Sequence, residues 1–356
     1  MPLVAHTTLP TFERLRQEGE TVLPGDEALQ QEIRELHIGL LNMMPDAALE
    51  ATERQFFRLI GESNQIAQFY VHPFTLSALP RGDEARAHIE KYYESFAAIK
   101  EKGLDALIIT GANVVGTELA SQPFWQPLIE VIDWAYEHVT STLCSCLATH
   151  AVMEFRYRQK RYPLEAKRWG VYSHRVVDRL HPLVNGVNTR FDVPHSRFNQ
   201  IDRRQFEAAG LHVLAESQDA GVHLAVSEDL FRLVFFQGHP EYDSISLLKE
   251  YKREIRRFFH ADIDAYPPFP EHYFSIKLQA ILGEYREQVE RAREQETGLP
   301  AMPETLICAE LDNTWHDTAE AVINNWIGKV YQTTNIDRRL PFKDRINPQD
   351  PLGLKD

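Results

Sequence analysis

The chain has 356 residues, 43% of them hydrophobic and 25% charged, a balance typical of a globular protein with a substantial core. The net charge of −14 argues against nucleic-acid binding, and no apolar run reaches the roughly 18 residues of a membrane span. Three cysteines are too few for a disulfide framework and the N-terminus lacks a signal-peptide pattern, so we expect a cytoplasmic protein without membrane association.

Six apolar runs rich in β-branched residues predict strands, at 36–43, 66–72, 104–111, 139–145, 221–227 and 231–238. Apolar residues at helical spacing predict helices, at 50–63, 125–138, 244–260, 274–292 and 317–331. Such alternation is typical of an α/β fold with a doubly wound, mostly parallel sheet and, here, added C-terminal helices.

The same pattern divides the chain into four parts. We predict an N-terminal extension at 1–35, an α/β core at 36–295, a loop and C-terminal helix that pack on the core at 296–343, and a tail at 344–356. The polar tail is expected to be extended or poorly ordered. The apolar C-terminal helices are compatible with a homodimer.

The segment "TSTLCSCLATHAVM" at 140–153 places two cysteines where the predicted strand ends and helical spacing begins. Cys144 is expected to be buried in the strand, and Cys146 to lie at the strand-to-helix turn. A helix N-terminus stabilises a thiolate, so Cys146 is a candidate nucleophile, with a buried structural thiol as the alternative. The Cys-x-Cys pair lacks a second ligand pair, so we expect no metal.

Polar residues also follow other predicted strands. In "GHPEYD" at 238–243, His239 is a candidate base toward a thiol, and Glu241 can fix its tautomer. The turn "TGA" presents the backbone of Gly111 and Ala112 at the carboxyl edge of the sheet, where such folds bind ligands. There is no Gly-x-Gly-x-x-Gly motif, so no dinucleotide cofactor is expected.

The segment "VPHSRFNQ" at 193–200 is predicted to be a polar loop. Its residues His195, Ser196 and Arg197 are candidates for binding a zwitterion. A solvated turn without a ligand is the alternative.

Six stretches, in this order, resemble the homoserine O-acyltransferases of methionine biosynthesis, the homoserine transsuccinylase family: "LNMMP", "DALIITGA", "VTSTLCSCLATHA", "WGVYSH", "PHSRFNQ" and "GHPEYD". The similarity runs from about residue 35 to 260 and resumes in "NTWHDTAEAVINNWIGKVYQTTNID". The resemblance implies a class I glutamine amidotransferase-like fold. It also implies small-molecule substrates: an acyl-CoA co-substrate, with no bound cofactor, donates its acyl group to the hydroxyl of L-homoserine.

The resemblance also implies catalytic roles. Cys146 falls on the acylated cysteine, His239 on the base and Glu241 on the supporting acid, in a ping-pong mechanism. The oxyanion is expected to be held by the amide of Leu147 and by an amide at Gly111 or Ala112.

Four further positions match substrate-binding positions of the family. They are Lys167 in "EAKRWGVY", Ser196 in "PHSR", and Glu250 and Arg253 on the helix after "GHPEYD". Glu250 suits an ammonium group and Arg253 a carboxylate. An ordinary charged helix face is the alternative for these last two.

The sequence departs from the family pattern at two places. At the position that the resemblance connects with the acyl donor this chain has Val115, which carries no charge that would repel a succinyl group. We therefore predict succinyl-CoA as donor, with acetyl-CoA as the alternative. In "MPDAALEATE" the family's usual lysine is absent, so a cationic contact is missing or supplied elsewhere.

Other functions remain open at this point. L-serine differs from homoserine by one methylene, which is worth only about 1–3 kcal/mol of discrimination. The same Cys-His-Glu set could serve an amidotransferase or hydrolase. A non-enzymatic regulatory module is the remaining class.

Overall fold

One mixed sheet runs through the structure, a computed structural model that describes residues 3–31, 33–64, 67–114 and 116–355. Within these residues the sheet has eleven strands. In chain order they are β1 (Leu3–Ala5), β2 (Val22–Pro24), β3 (Glu35–Leu41), β4 (Gln68–Phe74), β5 (Ala106–Ile109), β6 (Ser141–Ser145), β7 (Tyr162–Val176), β8 (Arg190–Gln200), β9 (His212–Ser217), β10 (Gly221–Val226) and β11 (Leu233–Phe236).

Twelve α-helices are found in the same described residues. They are α1 (Pro10–Gln17), α2 (Gly25–Ala28), α3 (Asp46–Ser63), α4 (Asp83–Tyr92), α5 (Phe96–Lys102), α6 (Trp125–His138), α7 (Leu147–Tyr157), α8 (Arg203–Ala208), α9 (Ser246–Phe259), α10 (Ile276–Glu294), α11 (Glu304–Ala309) and α12 (His316–Thr333). A short 3₁₀ turn at Pro182–Val184 precedes β8.

The strands follow the order β2-β1-β4-β3-β5-β6-β11-β10-β9-β7-β8 across the sheet. Neighbours from β2 to β11 are parallel, and those from β11 to β8 are antiparallel. Parallel neighbours need crossover connections, and α3 and α6 supply them between β3 and β4 and between β5 and β6. The predicted α/β fold with a mostly parallel sheet is confirmed.

Helices cover both faces of the parallel part of the sheet, which is why nearly all residues of β4, β5, β6 and β11 are buried. On one face α3 and α12 pack against each other, and Phe57 and Trp326 are buried there in the same cluster. The Trp326 indole N–H donates to Ser141 Oγ at 2.8 Å. The predicted apolar stripe of α12 is confirmed, since Val322 and Val330 are also buried. On the other face α6 and α7 pack in a second cluster.

The order of the parallel strands creates a cleft at their carboxyl ends. β4 and β5 lie on opposite sides of β3, so the winding direction changes there. In such sheets the crevice at this switch point is the usual place for a ligand. The chain leaves β3 at Met43 and β5 at Thr110, and the Met43 amide donates to Thr110 Oγ1 at 2.9 Å. The segments after β6 and β11 border the same cleft.

Most of the predicted core elements are confirmed, with shifts at their ends. The predicted helix at 125–138 is α6, and the predicted strand at 66–72 is β4 at Gln68–Phe74, residue 66 being outside the described residues. Strands β1, β2, β7 and β9 were not predicted. Strands β1 and β2, the last two at one end of the sheet, have three residues each, too few for a periodic pattern.

The prediction of a loop at 193–200 is wrong, because this segment is the second half of β8. His195, Arg197 and Asn199 point inward and are buried, whereas Phe198 points outward and is exposed. The strand alternation is present, but its inward side chains are polar. A hydrophobicity pattern therefore cannot reveal it.

Both ends of the chain contact the sheet region. The predicted extension at 1–35 contributes β1 and β2 to one edge, and Arg34 Nη2 donates to the Thr334 carbonyl at 3.0 Å. The predicted tail is a series of turns rather than an extended segment, and Leu352 packs against the core. Among the helices described, none has the length and apolarity to cross a membrane.

Candidate active site

Cys146 occupies a sharp turn between β6 and α7, as the sequence predicts. Its backbone has φ 51° and ψ −108°, a conformation that costs a residue with a side chain about 1–3 kcal/mol and is found mainly at functional sites. Two hydrogen bonds hold the turn: the Cys146 amide donates to the Phe236 carbonyl at 2.8 Å, and Thr149 Oγ1 donates to the Cys144 carbonyl at 2.8 Å. Cys144 itself is fully buried in β6.

His239 comes to Cys146 because β11 is the parallel neighbour of β6. Its Nδ1–H donates to Glu241 Oε1 at 2.8 Å, and the other ring nitrogen is left for the hydrogen bond with the Cys146 thiol. The ring of Tyr242 stacks on the imidazole with centroids 4.4 Å apart. His239 and Glu241 are buried, so their interaction is shielded from water.

The electrostatics of this triad favour a thiolate–imidazolium pair. Burial alone raises the pKa of the Cys146 thiol, but the charge and hydrogen bond of His239 outweigh it, and the net pKa is lower than usual. Burial lowers the pKa of His239, but the negative charges of Glu241 and Cys146 raise it above its usual range. These opposing shifts make the thiolate of Cys146 easier to form than that of an ordinary cysteine.

A buried arginine adds a second positive charge near Cys146. Arg197 on β8 donates to His195 Nδ1, to the Ala220 carbonyl and, at 2.9 Å, to Gln200 Oε1, all of them neutral acceptors. Its charge lowers the pKa of Cys146 further. His195 is fully buried among other side chains. Contrary to the prediction from the sequence, it is therefore not available to a substrate.

The predicted oxyanion-hole residues lie beside Cys146. A Cβ atom built on Gly111 would lie 3.4 Å from Cys146 Cβ and 3.9 Å from the Leu147 amide nitrogen. Leu147 is the first residue of α7, so its N–H has no partner within the helix. Ala112 also lines the cleft. The structure thus brings the backbones of Gly111 and Leu147 together at Cys146.

Three of the four predicted substrate-binding residues form one hydrogen-bonded cluster. Glu250 on α9 accepts hydrogen bonds from Lys167 Nζ at 2.8 Å, Ser196 Oγ at 2.7 Å and the Tyr242 hydroxyl at 3.0 Å. Burial raises the pKa of Glu250, but Lys167 and these hydrogen bonds lower it more, so the carboxylate is charged. A buried anion among donors can receive an ammonium group.

Arg253 lies one turn further along α9, at the exposed rim of the cleft. Its Nε donates to Glu254 Oε1 at 3.0 Å, and more than half of its side chain is exposed. A guanidinium in this position can turn toward a carboxylate without the loss of a buried contact.

The chain is similar to known proteins over nearly its whole length. The family model described as homoserine O-succinyltransferase matches residues 2–336. A protein named homoserine O-succinyltransferase from Nitrosococcus oceani is 72% identical over 100% of this chain and 99% of its own. The chain belongs to the homoserine O-succinyltransferase family.

Two further similarities span most of the chain. A relative of the same name from Allochromatium vinosum is 69% identical over 99% of each chain. Among solved structures, a glutamine amidotransferase from Thermotoga maritima is similar at 12% identity, with 85% of this chain and 100% of that chain covered and a TM-score of 0.40.

The position that the resemblance connects with donor choice, Val115, lies outside the described residues. Its neighbours are held by Arg161, whose guanidinium donates to the Val114 carbonyl at 3.0 Å and to the Gly116 carbonyl. Arg161 is largely buried and lines the cleft that contains Cys146. No sequence motif singles it out, so Arg161 was not among the predicted site residues.

The segment "MPDAAL", where this chain differs from the family pattern, is contacted by a cation from another loop. Arg81 donates to the Met44 carbonyl at 2.5 Å and to Asp46 Oδ1 at 3.2 Å. Asp46 in turn accepts a hydrogen bond from the Gly82 amide at 2.7 Å. These contacts connect the start of α3 to the loop before α4.

Proposed function

We propose that this protein transfers a succinyl group from succinyl-CoA to the hydroxyl of L-homoserine, through an acyl-enzyme on Cys146, in methionine biosynthesis. One observation carries the proposal: a strained cysteine with a buried His-Glu pair in a chain 72% identical to a homoserine O-succinyltransferase. The reactants are small molecules, and the reaction needs no bound cofactor.

In the first half-reaction the Cys146 thiolate attacks the thioester carbonyl of the acyl-CoA. The amides of Leu147 and Gly111 stabilise the oxyanion of the tetrahedral intermediate. The carbon–sulfur bond to CoA then breaks, and the CoA thiolate takes the proton of the His239 imidazolium. One thioester replaces another, so the step is close to isoenergetic.

Acylation changes the protonation of His239. The charge of Glu241, which contributes most to the raised pKa of His239, remains after acylation, but the thioester is uncharged and the contribution of the Cys146 thiolate is gone. The neutral imidazole, oriented by Glu241, can then take the hydroxyl proton of homoserine as its oxygen attacks the acyl carbon. Collapse of the intermediate releases O-acylhomoserine and restores the thiolate–imidazolium pair.

Homoserine is proposed to bind with its ammonium group at Glu250 and its carboxylate at Arg253. Ser196 and Lys167 hold the Glu250 carboxylate in place through hydrogen bonds of 2.7 and 2.8 Å. Bidentate contacts from a guanidinium suit a carboxylate. Both groups line the same cleft as Cys146.

The succinyl carboxylate of the donor requires a cation of its own. Arg161 supports succinyl-CoA as the donor, because it is a cleft-lining guanidinium next to residues 114 and 116. An acetyl group has no carboxylate, so it would gain nothing from Arg161.

Intact-protein mass spectrometry tests the proposal. The protein is mixed with succinyl-CoA or acetyl-CoA without acceptor, and homoserine or serine is then added. We expect a succinyl adduct that forms on the wild type, is absent in Cys146→Ala, and disappears on addition of homoserine. Cys308→Ala is the matched control, because Cys308 is an exposed thiol outside the cleft. Lack of an adduct from either donor would reject the acyl-enzyme mechanism.

A further inference from the structure

A group of metal-binding residue types lies on β1 and β4, away from the β6–β11 pair that carries Cys146. His6 follows β1, His72 is on β4, and Glu94 follows α4 and pairs with the end of β4. One possible ligand atom from each residue lies within 4.8 Å of those of the other two. His72 is buried, whereas His6 and Glu94 are partly exposed.

A chain of hydrogen-bonding groups leads to this cluster. Glu35 Oε2 lies 3.2 Å from His37 Nε2, His37 Nδ1 lies 2.9 Å from His72 Nε2, and His72 Nδ1 lies 2.5 Å from Glu94 Oε1. The chain has three links, but two neutral imidazoles supply only two N–H protons. The third link therefore needs a further cation, either an extra proton or a metal ion.

His6 supplies another lone pair beside the third link, the one between His72 and Glu94. Its Nδ1 hydrogen-bonds to the Val4 carbonyl at 3.1 Å, so Nδ1 carries the proton and Nε2 is the acceptor. In the described part of the chain, His6 Nε2 is a buried atom without a hydrogen-bond partner.

We propose that His6 Nε2, His72 Nδ1 and Glu94 bind a divalent transition-metal ion, with Zn²⁺ as the best match. Two imidazoles and one carboxylate suit Zn²⁺, with water as a fourth ligand, better than Mg²⁺ or Ca²⁺, which prefer oxygen ligands. His37, backed by Glu35, holds the tautomer of His72 that directs Nδ1 toward the ion. Such carboxylate–histidine–metal arrangements raise the basicity of the ligand.

Binding requires small movements around the cluster. Separations of up to 4.8 Å exceed the roughly 3.4 Å between ligand atoms of a tetrahedral zinc site, so the partly exposed His6 and Glu94 side chains move inward. Lys102 Nζ, now 2.5 Å from Glu94 Oε2, moves away from the ion, which its exposed position permits. The bound ion would link β1 and the α4–α5 connection to β4.

Spectroscopic titration with Co²⁺, followed by displacement with Zn²⁺, tests this site in the full chain. Both ions also bind thiols, so Cys146→Ser and Cys308→Ser are present in every sample. We expect one equivalent of Co²⁺ with visible absorption typical of nitrogen and oxygen ligands and no thiolate charge-transfer band. Zn²⁺ should also raise the melting temperature.

Variants of the ligands identify the site. His6→Ala and Glu94→Gln should each weaken binding by at least about tenfold and abolish the thermal shift. His138→Ala is the matched control, because His138 is a solvent-exposed histidine on α6. Absence of saturable binding would mean that a proton and Lys102 satisfy Glu94 and would overturn the proposal. Unchanged binding in both ligand variants would also overturn it.

Discussion

His239 and Glu241 are joined by a hydrogen bond of 2.8 Å between Nδ1 and Oε1, and both side chains are at least 94% buried. The bond fixes the imidazole tautomer, so the second ring nitrogen faces Cys146. The negative charge of Glu241 also stabilises the imidazolium that accompanies the thiolate. The Glu241 carboxylate thus both orients the imidazole of His239 and stabilises its positive charge.

Replacing Glu241 by glutamine should therefore impair catalysis far more than folding. The amide keeps the shape of the side chain but loses its charge, so kcat/KM for acyl transfer should fall by about 10²–10⁴-fold. Steady-state kinetics and thermal unfolding measure the two effects. Glu207→Gln, on the exposed surface of α8, is the control. A Glu241→Gln variant that keeps more than half of its activity would contradict this role.

Arg197 should help to keep Cys146 deprotonated. The positive charges of His239 and Arg197 lower the pKa of Cys146, so thiolate is present above the lowered pKa and is lost as pH falls through it. In Arg197→Met this transition should move to higher pH. Alkylation by iodoacetamide at pH 6 should then be slower by on the order of tenfold.

The alkylation rate as a function of pH separates this effect from a loss of structure. A shifted midpoint with an unchanged plateau at high pH indicates that only the thiol pKa differs. Wild-type and variant profiles that coincide would show that Arg197 does not act on Cys146. Cys308 is replaced by alanine in both proteins, so that the measured alkylation is that of the Cys146 thiol in the cleft.

The fold was predictable where hydrophobicity carries the signal. Strands β3, β5 and β11 are rich in apolar residues because helices cover both of their faces, and α6 is found at the predicted residues. β8 was not predictable in this way, because its inward side chains His195, Arg197 and Asn199 are polar. Their burial depends on contacts made by the folded sheet, such as those of His195 with His174 on β7 and of Arg197 with the Ala220 carbonyl.

Some residues of the site could be predicted from the sequence and others could not. The change from strand to helical spacing places Cys146 at the turn, a purely local signal. The contact between Lys167 and Glu250 joins residues 83 positions apart, and only the family resemblance selects both. Tyr242 stands next to Glu241 in sequence, yet its stacking on His239 needs the folded backbone. Arg161 has neither motif nor periodicity to indicate it.

Arg161 should determine the preference for a succinyl donor. In Arg161→Met the lost charge-assisted contact is worth about 1.5–3 kcal/mol, so kcat/KM for succinyl-CoA should fall about 10- to 150-fold. The value for acetyl-CoA should change little, which makes acetyl transfer an internal control for the loop at 114–116. Arg161→Lys keeps the charge and should recover part of the succinyl activity. Equal losses with both donors would indicate a structural role for Arg161 instead.

Arg253 should affect only the second half-reaction, because it is proposed to contact homoserine and not the acyl-CoA. In Arg253→Met the KM for homoserine should rise about 10- to 100-fold, with formation of the acyl-enzyme unchanged. Rapid-quench mass measurements follow acylation, and steady-state kinetics follow the acceptor.

Arg257→Met is a closely matched control. Arg257 lies one turn further along α9, is similarly exposed and also pairs with Glu254, at 2.8 Å. It does not line the cleft, so its replacement removes a comparable surface ion pair, worth no more than about 1 kcal/mol, without affecting homoserine. A rise in the homoserine KM in both variants would trace the effect to the helix surface. A rise in Arg253→Met alone would support the contact with the acceptor carboxylate.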